Sequence, residues 1–214
     1  MGDFGTTSDN AQNPLAETIR LACIGDSITF GAGIVEREVN SYPAQLQSML
    51  GENWRVENFG VSGATALSKG DLPYIDQSEY ERSLKFEPDA AVIALGTNDT
   101  KPWNWQHRAD FINDYRKLVN SYRVKNPNIR IWICRPVPAF GDDGDIKGSL
   151  VKDYLPGLIK RVSELTSVPV IDLYTPLKDK PQYFPDTVHP NAEGARVIAA
   201  QVWSFLVEAP TEAG

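Results

Sequence analysis

The stretch "RLACIGDSITFGAG" at residues 20–33 is the most informative part of the sequence. Its first six residues are apolar enough to form a buried strand. The chain then leaves this strand through Gly25, places an acid beside a hydroxyl at Asp26 and Ser27, and continues through further small residues. Two interpretations are open at this point: an ordinary tight turn, or a turn that presents Ser27 as a nucleophile. The rest of the sequence decides between them.

Four more stretches have the apolar character of buried strands, and helical patterns separate them. The strand-like stretches are "WRVENFG" at 54–60, "AAVIAL" at 90–95, "IRIWIC" at 129–134 and "VPVIDL" at 168–173. Helices are predicted over 41–50, 108–125, 148–166 and 192–207, with Pro156 breaking the third near Tyr154. Alternating strands and helices favour a parallel sheet covered on both faces. We therefore predict a three-layer α/β/α domain with a five-stranded, mainly parallel sheet.

The domain is expected to span residues 17–209. A chain of 214 residues is long enough for one sizeable core and short for two domains. Residues 1–16 are polar and rich in Gly, Ser, Thr and Asn, so they are predicted to be a flexible N-terminal segment. Residues 210–214 are predicted to be a flexible C-terminal tail.

Composition excludes several classes of function. The formal net charge of -7 and the absence of a Lys/Arg cluster argue against a nucleic-acid partner. The apolar stretches are strand-sized, so no membrane insertion is expected. The N-terminus does not have the pattern of a signal peptide as it stands, although a removed one would leave no trace. Cys23 and Cys134 lie in strand-like runs, where free cysteine acts as a small hydrophobe. Localisation and oligomeric state stay open.

Polar motifs follow the predicted strands, and the carboxyl ends of parallel strands are where such sheets carry their chemistry. The motifs are "GDS" after the first strand, "GVSG" after the second, "GTND" after the third and "FPDTVHPNAEG" ahead of the last helix. Together they supply a serine, backbone amides beside glycines, an asparagine amide, an aspartate and a histidine. Acyl transfer from an ester requires these groups.

A serine hydroxyl needs a neighbouring base to become a nucleophile, and histidine suits that task near neutral pH. The chain has two histidines. His107 lies in a polar run ahead of a helix and is predicted to be a solvated surface residue. His189 follows Asp186 by three residues, so a turn can bring the carboxylate to one ring nitrogen while the other faces Ser27. The alternative is that Asp186 and His189 form only a polar turn before a helix.

The negative oxygen that develops on an ester carbonyl needs donors already in place. The backbone N–H groups of Ser27 and Gly60 and the side chain of Asn98 are the candidates. Each has a structural alternative, because Asn is a common turn residue and a glycine at a strand end is common. The position of all these motifs at strand ends or before the final helix favours the catalytic interpretation.

The blocks "GDSITFGAG", Gly60, "GTND" and "DTVHP" resemble, in order and rough spacing, the four blocks of the SGNH or GDSL hydrolase superfamily. The resemblance extends over nearly the whole chain and is carried mainly by the first and last blocks. It implies a flavodoxin-like hydrolase fold. It also implies the nucleophile Ser27, the base His189 oriented by Asp186, and an oxyanion hole of Ser27, Gly60 and Asn98.

The expected activity is hydrolysis of a short-chain acyl ester, with a small-molecule or glycan ester as substrate. The sequence around "NDTKPWNW" and "FPDTVHPNAEGA" is similar to the superfamily branch that includes carbohydrate O-acetylesterases. Trp103 is the candidate substrate-binding residue, with Trp105 beside it, because indole rings can stack on sugars; the alternative is that both anchor the loop in the core. The two histidines are far apart in the sequence and there is no cysteine cluster, so no set of zinc ligands is visible. We therefore expect no metal and no cofactor.

Two alternatives to an acetylesterase are a lysophospholipase or thioesterase, and a non-catalytic binding module on the same fold. The binding module is disfavoured because both the serine and the histidine are present.

Overall fold

The computed structural model describes residues 18–208 of the chain. The segments predicted to be flexible, 1–16 and 210–214, lie outside the described residues, as do the two ends of the predicted domain. Between residues 18 and 208, none of the helices combines the length and the apolar character that crossing a membrane requires.

Five parallel strands form the central sheet, as predicted. They are β1 (Ile19–Gly25), β2 (Trp54–Gly60), β3 (Ala90–Ala94), β4 (Arg130–Arg135) and β5 (Val170–Asp172). Their spatial order is β2-β1-β3-β4-β5, and every neighbouring pair is parallel. The chain passes from β1 to β2 on one side of β1, and then to β3, β4 and β5 on the other side. The direction of winding therefore reverses between β1 and β3. Doubly wound sheets bind ligands at the carboxyl ends of the strands at this point.

Helices cover both faces of the sheet. They are α1 (Ser27–Phe30), α2 (Arg37–Asn40), α3 (Tyr42–Leu50), α4 (Ser78–Lys85), α5 (Pro102–Trp105), α6 (Phe111–Lys125), α7 (Gly148–Asp153), α8 (Leu155–Thr166) and α9 (Ala192–Glu208). The predicted break near Tyr154 is present, because α7 ends and α8 begins on either side of this residue. The sequence analysis did not predict α4, a helix of eight residues that packs on the core through Tyr80 and Leu84. Two apolar residues in so short a segment give too little periodicity to indicate a helix.

Successive residues of β1 pack on opposite faces of the sheet, as strand geometry requires. Ala22 and Ile24 belong to the core beneath α6 and α8, whereas Leu21 and Cys23 belong to the core beneath α3 and α9. The cysteines are free and buried, as predicted, and burial raises the pKa of Cys23 to about 12. The two cores hold the strands rigidly, so the loops at their carboxyl ends start from fixed positions.

Candidate active site

Ser27 stands at the first position of a one-turn helix that begins directly after β1. Asp26 caps this helix, since its Oδ1 accepts the N–H of Ile28 at 2.9 Å. The helix ends at Gly31, which has a left-handed backbone. Because Ser27 is the first helical residue, its own N–H has no intrahelical acceptor. The turn therefore fixes the Ser27 hydroxyl and leaves its amide free to face a ligand.

Ser27, His189 and Asp186 lie together in one chain of hydrogen bonds, although 162 positions separate the serine from the histidine. The Ser27 Oγ is 2.8 Å from His189 Nε2, and His189 Nδ1 is 2.6 Å from Asp186 Oδ2. A carboxylate can only accept, so Nδ1 carries the proton and Nε2 accepts from the serine hydroxyl. This is the tautomer in which an imidazole can take the serine proton.

Asp186 is held by its own loop as well as by the imidazole. Its Oδ1 accepts the N–H groups of Val188 at 3.0 Å and His189 at 2.7 Å. Partial burial acts to raise the pKa of Asp186, but the hydrogen bonds from His189 and Val188 outweigh burial and keep this pKa below its ordinary value. The carboxylate therefore stays ionised beside the imidazole near neutral pH.

These side chains open onto a cavity of about 570 Å³. Its wall includes Ser27, Asn98, Lys101 and His189, and a loop that follows β4, from Phe140 to Ile146. The sequence analysis assigned no residue of this loop to the site. The loop carries acids and glycines without a recognisable motif, so only its place after a strand could have indicated it.

Asn98 lies in the cavity wall, but Gly60 does not. The Asn98 Nδ2 donates one hydrogen bond to the Ala64 carbonyl at 3.1 Å, which leaves its second hydrogen free. The N–H of Gly60 donates to Asn58 Oδ1 at 2.9 Å. A Cβ on Gly60 would lie 2.2 Å from the backbone N of Phe30, so this glycine permits the close packing of α1 on β2. These contacts give no support to the expected role of Gly60 as an oxyanion donor, which stays a prediction.

Gly63 lines the cavity where Gly60 was expected. Its φ of 87° is in the left-handed region that favours glycine. Among residues 18–208 its N–H donates no hydrogen bond. Gly63 lies three residues beyond Gly60 in the same "GVSG" motif, and the sequence analysis named only Gly60.

A buried carboxylate docks the loop that carries Gly63 onto the turn that carries Asn98. Asp99 accepts the N–H of Leu67 at 2.8 Å and that of Ala66 at 3.1 Å. Burial raises the pKa of Asp99 to about 7, against the effect of these two N–H groups. Asn98 and Gly63 are thus held at a fixed separation by contacts outside the cavity.

The buried side chain of Asn104 also holds these two segments together. The Nδ2 of Asn104 donates to the Asn98 carbonyl at 2.9 Å and to Asp71 Oδ1 at 2.8 Å, and its Oδ1 accepts the Asp71 N–H at 2.8 Å. The segment from β2 to Asp71 is therefore bound to the 3-10 turn Asn98–Thr100 by side chains on both sides.

Asp26 is a second buried acid beside the site. Its Oδ1 caps α1, whereas its Oδ2 has no hydrogen-bond partner among the described residues. Burial raises the pKa of Asp26 to about 6, although the Ile28 N–H and the charge of His189 oppose this rise.

The two tryptophans lie outside the cavity wall, so the structure adds no support for Trp103 as a substrate-binding residue. Trp103 is exposed on α5 and its Nε1 donates to Asp71 Oδ2 at 2.9 Å. Trp105 packs partly against the core and against Tyr154. His107 is away from the cavity, between α5 and α6.

Comparisons with known proteins identify the family of this chain. Residues 23–197 match the model of the GDSL-like lipase/acylhydrolase family. An acetylxylan esterase from Xylanibacter ruminicola is 36% identical over 215 residues, which cover 92% of this chain and 45% of that protein. The chain thus spans about half the length of this curated relative.

Solved structures share the fold. A carbohydrate acetylesterase from Sinorhizobium meliloti superposes with a TM-score of 0.74 at 18% identity, covering 89% of this chain and 99% of the other. An acetyl xylan esterase, AlAXEase, superposes with a TM-score of 0.70 at 21% identity, covering 88% of this chain and 100% of the other. The match over residues 23–197 and the curated relative show that this chain belongs to the GDSL-like lipase/acylhydrolase family.

Proposed function

We propose that the protein is a serine esterase that removes short acyl groups, chiefly acetyl, from carbohydrates through an acyl-enzyme intermediate. The observation that carries the proposal is the hydrogen-bonded chain from Ser27 Oγ through His189 to Asp186, at 2.8 Å and 2.6 Å, at the wall of an open cavity. Family membership and the acetylxylan esterase relative support the acetyl ester as substrate.

In the first half-reaction the Ser27 oxygen attacks the ester carbonyl carbon while its proton passes to His189 Nε2. The Asp186 carboxylate holds the imidazole in position and stabilises the imidazolium that forms. His189 then gives the proton to the departing sugar oxygen, and the acyl group stays on Ser27. In the second half-reaction a water repeats these steps, releasing the carboxylic acid and restoring the serine.

The oxyanion that forms in each half-reaction needs preorganised donors. We assign this role to the backbone N–H groups of Ser27 and Gly63 and to the free hydrogen of Asn98 Nδ2. Gly63 replaces the Gly60 of the sequence-based expectation, because Gly63 lies in the cavity wall and the Gly60 N–H already has an acceptor. These donors are fixed by hydrogen bonds behind the wall, so little reorganisation is required when charge develops.

The charges of the cavity favour a neutral, hydroxyl-rich alcohol over a phosphate-bearing one. Asp143 and Asp145 lie in the wall, and neither forms an ion pair within residues 18–208. The one lysine of the wall, Lys101, is bound to Asp71 at 3.1 Å. Free carboxylates accept hydrogen bonds from sugar hydroxyls and repel the phosphate groups of lysophospholipids and acyl-coenzyme A.

A series of 4-nitrophenyl esters of increasing acyl length tests this proposal. We expect kcat/KM to be highest for acetyl and propionyl esters and to fall steeply for longer chains. Rates that rise toward octanoyl or decanoyl esters would instead support the lipase or thioesterase alternative. No hydrolysis of any ester by the folded protein would support the non-catalytic binding module.

A further inference from the structure

Asp26 has a buried carboxyl oxygen for which the fold supplies no hydrogen-bond donor. The residue is 1% exposed, and its Oδ1 accepts the Ile28 N–H at 2.9 Å. Its Oδ2 is buried and has no hydrogen-bond partner among residues 18–208. Buried polar atoms are normally paired, because an unpaired one loses its water without compensation. Asn and Ser cap helices as well as Asp does, so the cap of α1 does not by itself require an acid here.

This carboxyl lies directly behind the candidate nucleophile. One peptide bond joins Asp26 to Ser27, whose Oγ is 2.8 Å from His189 Nε2. Ser27 lines the cavity, whereas Asp26 lies behind the cavity wall. A positive charge on His189 lowers the pKa of Asp26, against the effect of burial. Because the interaction between two charges is mutual, an ionised Asp26 in turn favours the imidazolium form of His189.

The other groups that face Asp26 supply no formal positive charge. The N–H that its Oδ1 accepts and the Thr97 side chain act only as dipoles that lower its pKa. Asp99 is a second buried acid, and the charge of Asp26 helps to raise the pKa of Asp99 to about 7. Tyr115 is neutral, because burial raises its pKa well above the ordinary value. Among these groups, His189 alone can become a cation.

We propose that the ionised Asp26 carboxylate stabilises the imidazolium that forms when His189 takes the proton of Ser27. This inference rests on the proposed function, in which that proton transfer occurs. Asp26 itself neither gives nor takes a proton during turnover, since the proton passes from Ser27 Oγ to His189 Nε2 and then to the leaving oxygen. Asp26 acts through His189 without contact with the substrate, so it is a positioning residue.

The arrangement gives His189 two carboxylates with different surroundings. Asp186 is hydrogen-bonded to Nδ1 at 2.6 Å, but its side chain is 58% exposed, so water and salt screen its charge. Asp26 is buried beside the nucleophile, where screening is weak. The inference is therefore that orientation of the imidazole comes from Asp186 and that Asp26 adds a less screened negative charge.

The acid limb of the pH–rate profile reports this interaction. The pKa of Asp26 is about 6, so the carboxylate is ionised at mildly alkaline pH. As pH falls, protonation of His189 removes the base and protonation of Asp26 removes its charge, and the two titrations are coupled. An ionised Asp26 holds a proton on His189 more tightly. It therefore moves the acid limb to higher pH and also raises the rate on the plateau.

Asp26→Asn removes the charge but keeps the shape and the cap of α1, since its amide oxygen can still accept the Ile28 N–H. We expect the acid limb of kcat/KM on 4-nitrophenyl acetate to move to lower pH by roughly half to one pH unit, and the plateau to fall about three- to tenfold. Asp26→Ser, a second uncharged cap, should change both quantities in the same direction. Asp153→Asn is the matched control, because this acid is exposed on α7 and outside the cavity wall.

An NMR titration tests the interaction without catalysis. The chain has two histidines, so two sets of ring resonances are followed against pH, and His107 between α5 and α6 is the internal reference. In Asp26→Asn the midpoint of the His189 titration should move to lower pH by the same amount as the acid limb, while that of His107 stays in place. Thermal midpoints recorded at each pH show that the variants are folded.

An unchanged His189 titration in the two Asp26 variants would overturn the inference. A loss of plateau rate without a move of the acid limb would also overturn it, because a purely structural cap predicts that result. Failure of the esterase proposal would appear differently, as retained hydrolysis in Ser27→Ala or as no hydrolysis by the wild type. In either case the His189 titration still decides whether Asp26 favours the imidazolium.

Discussion

The two halves of the candidate site differ in how the protein holds them. At the ends of β1 and β3, Ser27, Asn98 and Asp99 are 8%, 6% and 0% exposed. In the loop before α9, the side chains of Asp186 and His189 are 58% and 29% exposed and are held mainly by bonds within their own turn. The difference teaches that the groups proposed to stabilise the oxyanion lie in the core, whereas the proposed base lies on a surface loop.

This comparison has a direct consequence for mutants. Changes among the buried donors should alter stability and activity together, because the same hydrogen bonds dock two loops. Changes in the base loop should alter activity and leave the thermal midpoint nearly unchanged.

The largest effect is expected for Ser27 and His189, which lie in different halves of the candidate site. We expect Ser27→Ala and His189→Ala each to lower kcat/KM by about 10³-fold or more, as losses in such triads do. The thermal midpoint should change little, because neither side chain has a buried partner outside the site. Initial rates on 4-nitrophenyl acetate measure the loss, and His107→Ala is the control that should behave as wild type. A loss below tenfold in Ser27→Ala would place the nucleophile elsewhere.

The second effect concerns Asn98, in the buried half of the candidate site. Asn98→Ala should lower kcat by roughly 10²–10³-fold with little change in KM, because its donor acts on charge that develops in the transition state. Asn98→Asp should be worse, since a carboxylate donates no proton to the oxyanion and repels it. Both variants should also lower the thermal midpoint, because the bond from Nδ2 to the Ala64 carbonyl is lost.

Measuring kcat beside the thermal midpoint separates the roles of Asn98. A fully active Asn98→Asp enzyme would remove this residue from the oxyanion site.

The third effect separates the two glycines. Gly60→Ala should mainly lower the thermal midpoint, because its Cβ would lie 2.2 Å from the Phe30 backbone. Gly63→Ala places a Cβ 3.5 Å from Leu72 and costs about 1 kcal/mol for its left-handed backbone. Its main effect should be a lower kcat, because relaxation of that strain turns the N–H away from the cavity. The ratio of kcat loss to midpoint loss should thus be larger for Gly63→Ala; the opposite order would return the donor role to Gly60.

The fourth effect concerns the pH dependence of stability rather than the rate of ester hydrolysis. The pKa of Asp26, about 6, lies above the ordinary value of an aspartate, about 3.9, because of burial. The folded protein therefore keeps this proton to higher pH than the unfolded chain does. The stabilisation is complete below pH ~4 and is lost as pH rises to about 6, by up to ~3 kcal/mol.

Asp26→Asn should make the fall in stability between pH 4 and 6 shallower, with the remaining slope coming from Asp99, whose pKa is also raised by burial. The amide Oδ1 of this variant can still cap α1. Urea unfolding at pH 4, 5, 6 and 7 measures the slope for both proteins. Equal slopes would show that this carboxyl does not titrate in that range.

The sequence predicted those parts of the molecule that local patterns determine. Buried runs such as residues 90–95 indicated the strands, and their alternation with helices indicated the parallel sheet, which the structure confirms. The family prediction is confirmed as well. Ser27, Asp186 and His189 were named from chemistry at strand ends, and the structure brings them together, while their catalytic roles stay predictions.

What the sequence could not predict depends on contacts between distant segments. Gly63 and Gly60 stand three residues apart in one motif, and only the contact of Gly60 with α1 shows which one packs and which one faces the cavity. The loop 140–146 reaches the site because Phe140 donates its N–H to the Thr187 carbonyl at 2.9 Å, a pairing no local pattern encodes. Trp103 was placed in the site by sequence proximity, but its hydrogen bond to Asp71 holds it outside the cavity wall.

The central claim is that the Ser27 oxygen, activated by His189, forms a covalent bond with the acyl carbon. The most direct measurement labels the protein with a nitrophenyl phosphonate, in which a Ser27 Oγ–P bond forms as nitrophenolate leaves, and locates the label by peptide mass spectrometry. We predict one label per chain, on Ser27, with a labelling rate that falls at least ~10²-fold in His189→Ala. A label on any other residue, or labelling of Ser27→Ala at the wild-type rate, would contradict the account.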